Sequence, residues 1–438
     1  MKPTPIDANI VKERIQASHL PNVGKASIRE VLRLINEIEQ ASGVKFVRME
    51  MGIPGLPAVQ IGIDAQKAAL DNGVAALYPS IEGIPALKNE MVRFCKNFLD
   101  IDVKPYSCVP TVGSMQAGMA TFMTVRYLYP ERDTTLFIDP GFPVQKTQHR
   151  IIGAKYETFD VYEFRGEKLR AKLESHLSQG HIHSIVYSNP NNPSWVCFTD
   201  QELRIIAEEA AKYNVVVVED LAYFGMDFRQ DISTPGVPPF QPTVAKYYDK
   251  YILMVSSSKA FSYAGERLAV MVISDALYNG NYPNLKTNFG SENFGHALVY
   301  STIYALTSGT SHSAQHAMAA ILKACNDGDY NLVQGMIEYR NKAHEMKRIF
   351  TENGFDIVYD MDVDKPLSDG FYFTIGYPGF TGEALLEELL YYGVSAISLS
   401  TCGSERQGLR ACVSLVRKEQ FPDLEARLKV FRENHPLK

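Results

Sequence analysis

The chain has 438 residues, too many for one compact core and enough for a large and a small domain. It is 45% hydrophobic and 21% charged with a net charge of -6, which fits a globular protein and leaves no basic footprint for nucleic acid. No apolar run approaches the ~20 residues of a membrane helix. The N-terminus lacks the apolar core of a signal peptide, and the six cysteines form no Cys-x-x-Cys pair. The expectation is a cytoplasmic protein with reduced thiols, no membrane or nucleic-acid partner, and no metal site.

In chain order, Ala26 to Ser42 carries Ile28, Val31, Leu32, Leu34, Ile35 and Ile38 on one side, which predicts a helix. Met51-Gly52-Ile53-Pro54-Gly55-Leu56-Pro57 must be loop. From about residue 107 strands and helices alternate. Strands are expected at Leu136–Ile138, Ile182–Tyr187, Val215–Val218, Ile252–Val255 and Leu268–Ile273, and helices at Ser114–Tyr129 and Asp200–Tyr213, the latter opened by a Thr199–Glu202 capping box. Such alternation means an α/β fold with a mostly parallel sheet flanked by helices. A helical pattern from Ser313 to Asn353, broken near Gly328, leads into an α+β C-terminal part. Ser233–Pro239 reads as an inserted loop.

Chemistry concentrates after these strands. Gly113-Ser114-Met115 opens a helix, where backbone N–H groups bind phosphate, although Ser114 also fits an ordinary N-cap. Glu219-Asp220 ends a valine run. A carboxylate buried there is costly unless paired, and an N-cap role is the plain alternative. Lys259 follows Ser256-Ser257-Ser258 and precedes Arg267. A lysine past a strand end, partly desolvated beside another cation, loses its proton easily and can form a Schiff base. Serine hydroxyls and an arginine fork suit a phosphate. Together they meet the requirement of pyridoxal 5'-phosphate (PLP). An isolated Ser-Lys pair is more often a surface turn, so the weight rests on the remaining parts.

Those parts carry a resemblance. Ser256-x-Ser258-Lys259 with Phe261 and Arg267 resembles the lysine segment of the class I/II aminotransferases, the fold-type I PLP enzymes related to aspartate aminotransferase. Asn189-Pro190-Asn191-Asn192-Pro193 resembles the family's Asn-Pro-x-Asn-Pro turn, with Ser194-Trp195 in place of Thr-Gly, and Ala269 stands where the family usually has Gly. The resemblance implies that Lys259 carries the cofactor as an aldimine and then acts as general base. It implies that Asp220, favoured over Glu219, pairs with the ring nitrogen, that Tyr223 and Asn192 serve the phenolate oxygen, and that Phe142 stacks on the ring. Gly113, Ser114, Met115, Ser256, Ser258 and Arg267 would hold the phosphate, joined by Tyr78 from a second subunit of a homodimer with shared sites. Arg410 would clamp the substrate carboxylate, with Gly52 and Asn192 on the substrate side, and Trp195 should lie near the cofactor.

The expected activity is amino transfer between an amino acid and a 2-oxo acid. A PLP-dependent lyase or decarboxylase on the same fold is the alternative, and a non-catalytic PLP-fold regulatory protein a further one. The expected division is a large domain of 60–312 and a small domain of 1–59 with 313–438. No arginine lies between Arg267 and Arg340, so a distal substrate carboxylate would find no second guanidinium in the segment around Asn288–Gly295. That predicts a preference for amino acids other than dicarboxylates, unless Lys25 or Arg29 reaches the pocket.

Overall fold

The computed structural model describes residues 2–437. Its centre is a seven-stranded sheet of β1 (Cys108–Val112), β2 (Thr134–Asp139), β3 (Lys155–Asp160), β4 (Ile182–Ser188), β5 (Val216–Asp220), β6 (Tyr251–Ser256) and β7 (Leu268–Ile273). The spatial order is β1-β7-β6-β5-β4-β2-β3. All neighbours are parallel except the two pairs made by β7. Residues 257–267 form too short a connection for a parallel crossover, so β7 returns antiparallel to β6.

The valine run of β5 explains its central place, since a strand covered on both faces carries no polar alternation. Val216 and Val218 pack with Ile252, Met254, Ala117 and Phe122, the last two from the helix Gly113–Val125. Val217 packs with Leu253 and Ile185 on the opposite face. The strand runs two residues beyond its expected end, so Glu219 and Asp220 are its last rungs. Strand β3 gave no sequence signal because it is an edge strand with exposed polar residues, Lys155 and Thr158 among them.

The expected helix at the N-terminus starts at Ile28, behind a Ser27–Glu30 capping box. The one expected from Ser114 spans Gly113–Val125. The long C-terminal pattern is two helices, His312–Asp327 and Leu332–Glu352, parted where Gly328 takes a φ of +81°. A four-stranded antiparallel sheet follows, with β8 (Asp356–Ile357), β9 (Tyr372–Gly376), β10 (Ile397–Ser398) and β11 (Leu409–Cys412) in the order β10-β11-β9-β8. Val47–Arg48 pairs with Val394–Ser395, tying the N-terminal segment to this part of the chain.

A buried ion network joins the two sheets' surroundings. Arg165 reaches Glu202 at 2.7 Å and Asp362 at 2.8 Å, and Asp362 also accepts from Arg229 at 2.8 Å and from the Cys197 amide at 3.0 Å. Among the described residues no helix is long and apolar enough to cross a membrane.

Candidate active site

Parallel strands point their C-terminal ends to one edge, and α/β sheets bind ligands there. Gly113, Phe142, Asn192, Asp220 and Lys259 all follow or end such strands. Arg267 reaches the same edge from the other direction, because it precedes the antiparallel β7. Val112 pairs with Leu268, so Gly113 and Arg267 face each other across the rung. A Cβ on Gly113 would lie 2.7 Å from Arg267 Nη2, and Gly113 has a φ of +67°. Only glycine permits both that backbone and that approach.

Strand alternation separates the two carboxylates of β5. Glu219 turns to the face of Tyr187 and accepts from Thr243 Oγ1 at 2.5 Å and the Val244 amide at 3.2 Å. Asp220 lies on the face of the helix Gly113–Val125. It accepts from the Ala222 amide at 3.1 Å and from Gln145 Nε2 at 3.3 Å, and no cation pairs with it among the described residues. Burial raises its pKa to about 6.

Lys259 sits in a short helical turn after β6, where Ser256 Oγ accepts from the Ser258 amide at 3.1 Å. Its ammonium donates to the Gly52 carbonyl and lies 5.6 Å from the centre of the Phe371 ring. Burial lowers its pKa to about 8, helped by the charges of Arg410 and Arg267. That is the desolvated amine beside cations that the sequence pointed to.

Arg410 is 1% exposed, and no carboxylate lies within ion-pair distance among the described residues. Its guanidinium donates to the Glu50 carbonyl and to Asn192 Oδ1 at 3.4 Å, stands 4.7 Å from the centre of the Tyr372 ring, and leaves Nε without a partner. A buried cation so placed is costly until an anion reaches it. Ser114 Oγ is a second buried polar atom without a partner, at the start of the helix beside Arg267. These two orphaned sites fit a ligand with a carboxylate at one end and a phosphate at the other, and so do Gly113 and Arg267.

The turn carrying Phe142 is held from two sides. The Gly141 amide donates to Cys402 O, and Asn191 Nδ2 donates to Pro140 O, both at 2.9 Å. Phe142 is half-buried. Met115 is exposed, and it is its carbonyl that is engaged, by Gln148. Gly52 has no room for a side chain, since a Cβ would fall 2.0 Å from the Tyr372 hydroxyl. Tyr78 is 92% exposed and takes no part in the pocket of its own chain. Nor do the Lys25 and Glu292 side chains: Lys25 faces Glu383 at 3.7 Å and Glu292 faces Lys286 at 3.4 Å, all at the surface. Arg29 is exposed.

Two neighbours carried no sequence signal of their role, Tyr372 and Gln145, and they meet two residues that did, Tyr223 and Asp220. The Tyr223 hydroxyl lies 2.8 Å from the Tyr372 hydroxyl. Trp195 is buried at a φ of +66°, with its ring 5.6 Å from that of Tyr223 and its indole N–H on Ser368 Oγ at 2.9 Å. Gln145 reaches Asp220 from a helix whose sequence shows no motif.

Comparison with known proteins bears on the fold and the family. The chain is 24% identical to a probable aspartate aminotransferase of Methanocaldococcus jannaschii over 60% of this chain and 64% of that protein. It is 28% identical to the LL-diaminopimelate aminotransferase of Aquifex aeolicus, over 59% and 64% of the two chains. The sequence matches thus span a little under two thirds of these relatives' lengths. The fold superposes on Thermus thermophilus aspartate aminotransferase with maleate at a TM-score of 0.73 and 17% identity, covering 95% of this chain and 98% of that one. An aminotransferase from Mycobacterium tuberculosis gives a TM-score of 0.75 with the same coverage. Residues 50–428 match the family of class I and II aminotransferases, and the chain belongs to that family.

Proposed function

We propose that the protein is a PLP-dependent aminotransferase that moves an amino group from an amino acid to a 2-oxo acid. The observation that carries this is Arg410, buried and without a carboxylate partner, close enough to Lys259 to depress that lysine's pKa. When bound, PLP supplies an electron-withdrawing ring that makes the substrate Cα proton removable. Lys259 Nζ would hold the cofactor and, once released from it as a free amine, would take that proton and return it. Asp220, buried with no cation partner among the described residues, would accept from the ring nitrogen and keep it protonated. Ser114, the helix start at Gly113, Ser256, Ser258 and Arg267 hold the phosphate. Phe142 would cover the ring, Asn192 and Tyr223 would donate to its phenolate oxygen, and Arg410 would grip the substrate carboxylate.

The assembly proposed is a homodimer. Leu77 (61%), Tyr78 (92%), Tyr300 (43%) and Tyr304 (57%) are exposed apolar or aromatic side chains, a combination that favours a protein partner over water. Tyr78 would then serve the partner's phosphate site. The division into 60–312 and 1–59 with 313–438 is supported by the central sheet lying within 108–273 and by the pairing of Val47–Arg48 with Val394–Ser395. Six free, buried cysteines favour a reducing, cytoplasmic setting. An amino acid other than a dicarboxylate is the proposed substrate, because Arg410 is the guanidinium left for substrate once Arg267 serves the phosphate and no arginine occurs from 268 to 339.

The test is incubation of the PLP-loaded protein with single amino acids. Formation of pyridoxamine phosphate and a 2-oxo acid supports transamination, whereas release of ammonia with pyruvate, or of carbon dioxide, favours the lyase or decarboxylase. A lead of about tenfold in kcat/KM for aspartate or glutamate over every neutral amino acid, ~1.4 kcal/mol, would sink the substrate proposal alone.

A further inference from the structure

Tyr372 lies where three parts of the site meet. In the β9–β11 ladder Tyr372 pairs with Cys412 and Thr374 with Arg410, which makes Tyr372 and Arg410 diagonal neighbours on one face. Hence the Tyr372 ring stands under the guanidinium at 4.7 Å, while its hydroxyl reaches Tyr223 at 2.8 Å and presses on Gly52, whose carbonyl holds Lys259.

The geometry of the pair allows either hydroxyl to donate, and the use made of Tyr223 decides between them. Each phenol has one proton to donate. Among the described residues neither hydroxyl has another hydrogen-bond partner, so the pair has one proton left over. Both residues are buried, and Gly52 lies directly against the Tyr372 oxygen, so a Tyr223 proton given to the cofactor leaves Tyr372 as the donor within the pair. We propose that Tyr372 is a positioning residue that donates its proton to Tyr223 and so commits the Tyr223 proton to the cofactor's phenolate oxygen. Burial pushes both phenols upward, so both stay protonated at neutral pH. The charged or titratable groups around the pair are Arg410, Cys412 and Cys402. Both thiols are raised by burial and neutral, leaving Arg410 as the charge. Hydrogen bonds in such a chain polarise one another, so the second phenol strengthens the first as a donor.

This rests on Lys259 carrying PLP with Tyr223 at its phenolate oxygen. The experiment is a pH titration of the visible absorbance of the lysine-bound cofactor in wild type, Tyr372→Phe, Tyr223→Phe and the double variant. A weaker donor leaves the phenolate form less favoured, so Tyr372→Phe should raise the midpoint by roughly half a unit. Because Tyr372 acts through Tyr223, the double variant should titrate like Tyr223→Phe. An unchanged or lowered midpoint in Tyr372→Phe overturns the proposal, as does a double variant that adds the full Tyr372→Phe shift. If Tyr372→Phe does not fold, fluorotyrosine at position 372 replaces it. That stronger donor of nearly the same shape should lower the midpoint, and an unchanged or raised one overturns the proposal. Absence of any visible band in PLP-treated wild type would instead refute the assignment of PLP to Lys259.

Discussion

Lys259 shows how one residue ties stability to function. Its pKa falls from 10.5 to about 8 because burial disfavours the ammonium. Below pH 8 the lysine is charged in both folded and unfolded chains, and the folded cofactor-free protein bears the whole cost, on the order of 3 kcal/mol. Between pH 8 and 10.5 the unfolded state holds more protons, so stability rises with pH in that window. Cofactor-free Lys259→Met should therefore be more stable than wild type to urea at pH 7, with the gap closing as pH approaches 10.5. Equal stability at pH 7 would mean the ammonium is not desolvated. Arg410 makes a second prediction. Arg410→Lys keeps the charge and loses the planar fork, so kcat/KM should fall by roughly 10²-fold, most of it in KM, as for loss of a bidentate carboxylate contact. A loss confined to kcat would argue against a role in binding.

At the scale of elements, the segment after β4 is fixed by what packs on it from the C-terminal part of the chain. Asp362 binds the Cys197 amide, and Ser368 binds Trp195 Nε1. Both hold the stretch that contains Asn192. Asp362→Ala leaves the buried Arg165 and the Cys197 amide short of an acceptor, which should cost about 3–5 kcal/mol by denaturant melting. Replacement costing under about 1 kcal/mol would show that Glu202 alone satisfies Arg165. Gly370 is tighter still, since a Cβ there would lie 2.2 Å from the Trp195 ring. Gly370→Ala should displace the sole tryptophan and red-shift its emission, and an unchanged spectrum would mean the indole has room that the packing does not show.

At the scale of the whole molecule, the prediction concerns assembly. Tyr78 faces solvent at 92% exposure, while Lys259 is half-buried with its ammonium on the Gly52 carbonyl. In a dimer with shared sites, a Lys259→Ala chain and a Tyr78→Phe chain combine into one heterodimer with one intact site. Each heterodimer should have up to about half of a wild-type dimer's activity, since one site of two is whole, and an equimolar mixture reassorting at random up to about a quarter. No recovery in heterodimers verified by differential tagging would place Tyr78's role within its own subunit.

Much of this was legible in the sequence because it is local. Strand-like runs followed by Asp220, Asn192 or Lys259 set the edge of the sheet where chemistry collects, and the capping box and Gly328 set helix boundaries. The order of motifs along the chain was enough to indicate the family and the cofactor. Tertiary structure alone decided what depends on distant pairing. The antiparallel return of β7 brings Arg267 to Gly113, and the β9–β11 register puts Tyr372 beneath Arg410. The face on which Asp220 lies separates it from Glu219, a choice that strand alternation makes only once the covering helix is in place. Sequence spacing records neighbours along the chain, whereas burial and register, which lower the Lys259 pKa and join Tyr372 to Tyr223, arise only when separate strands meet.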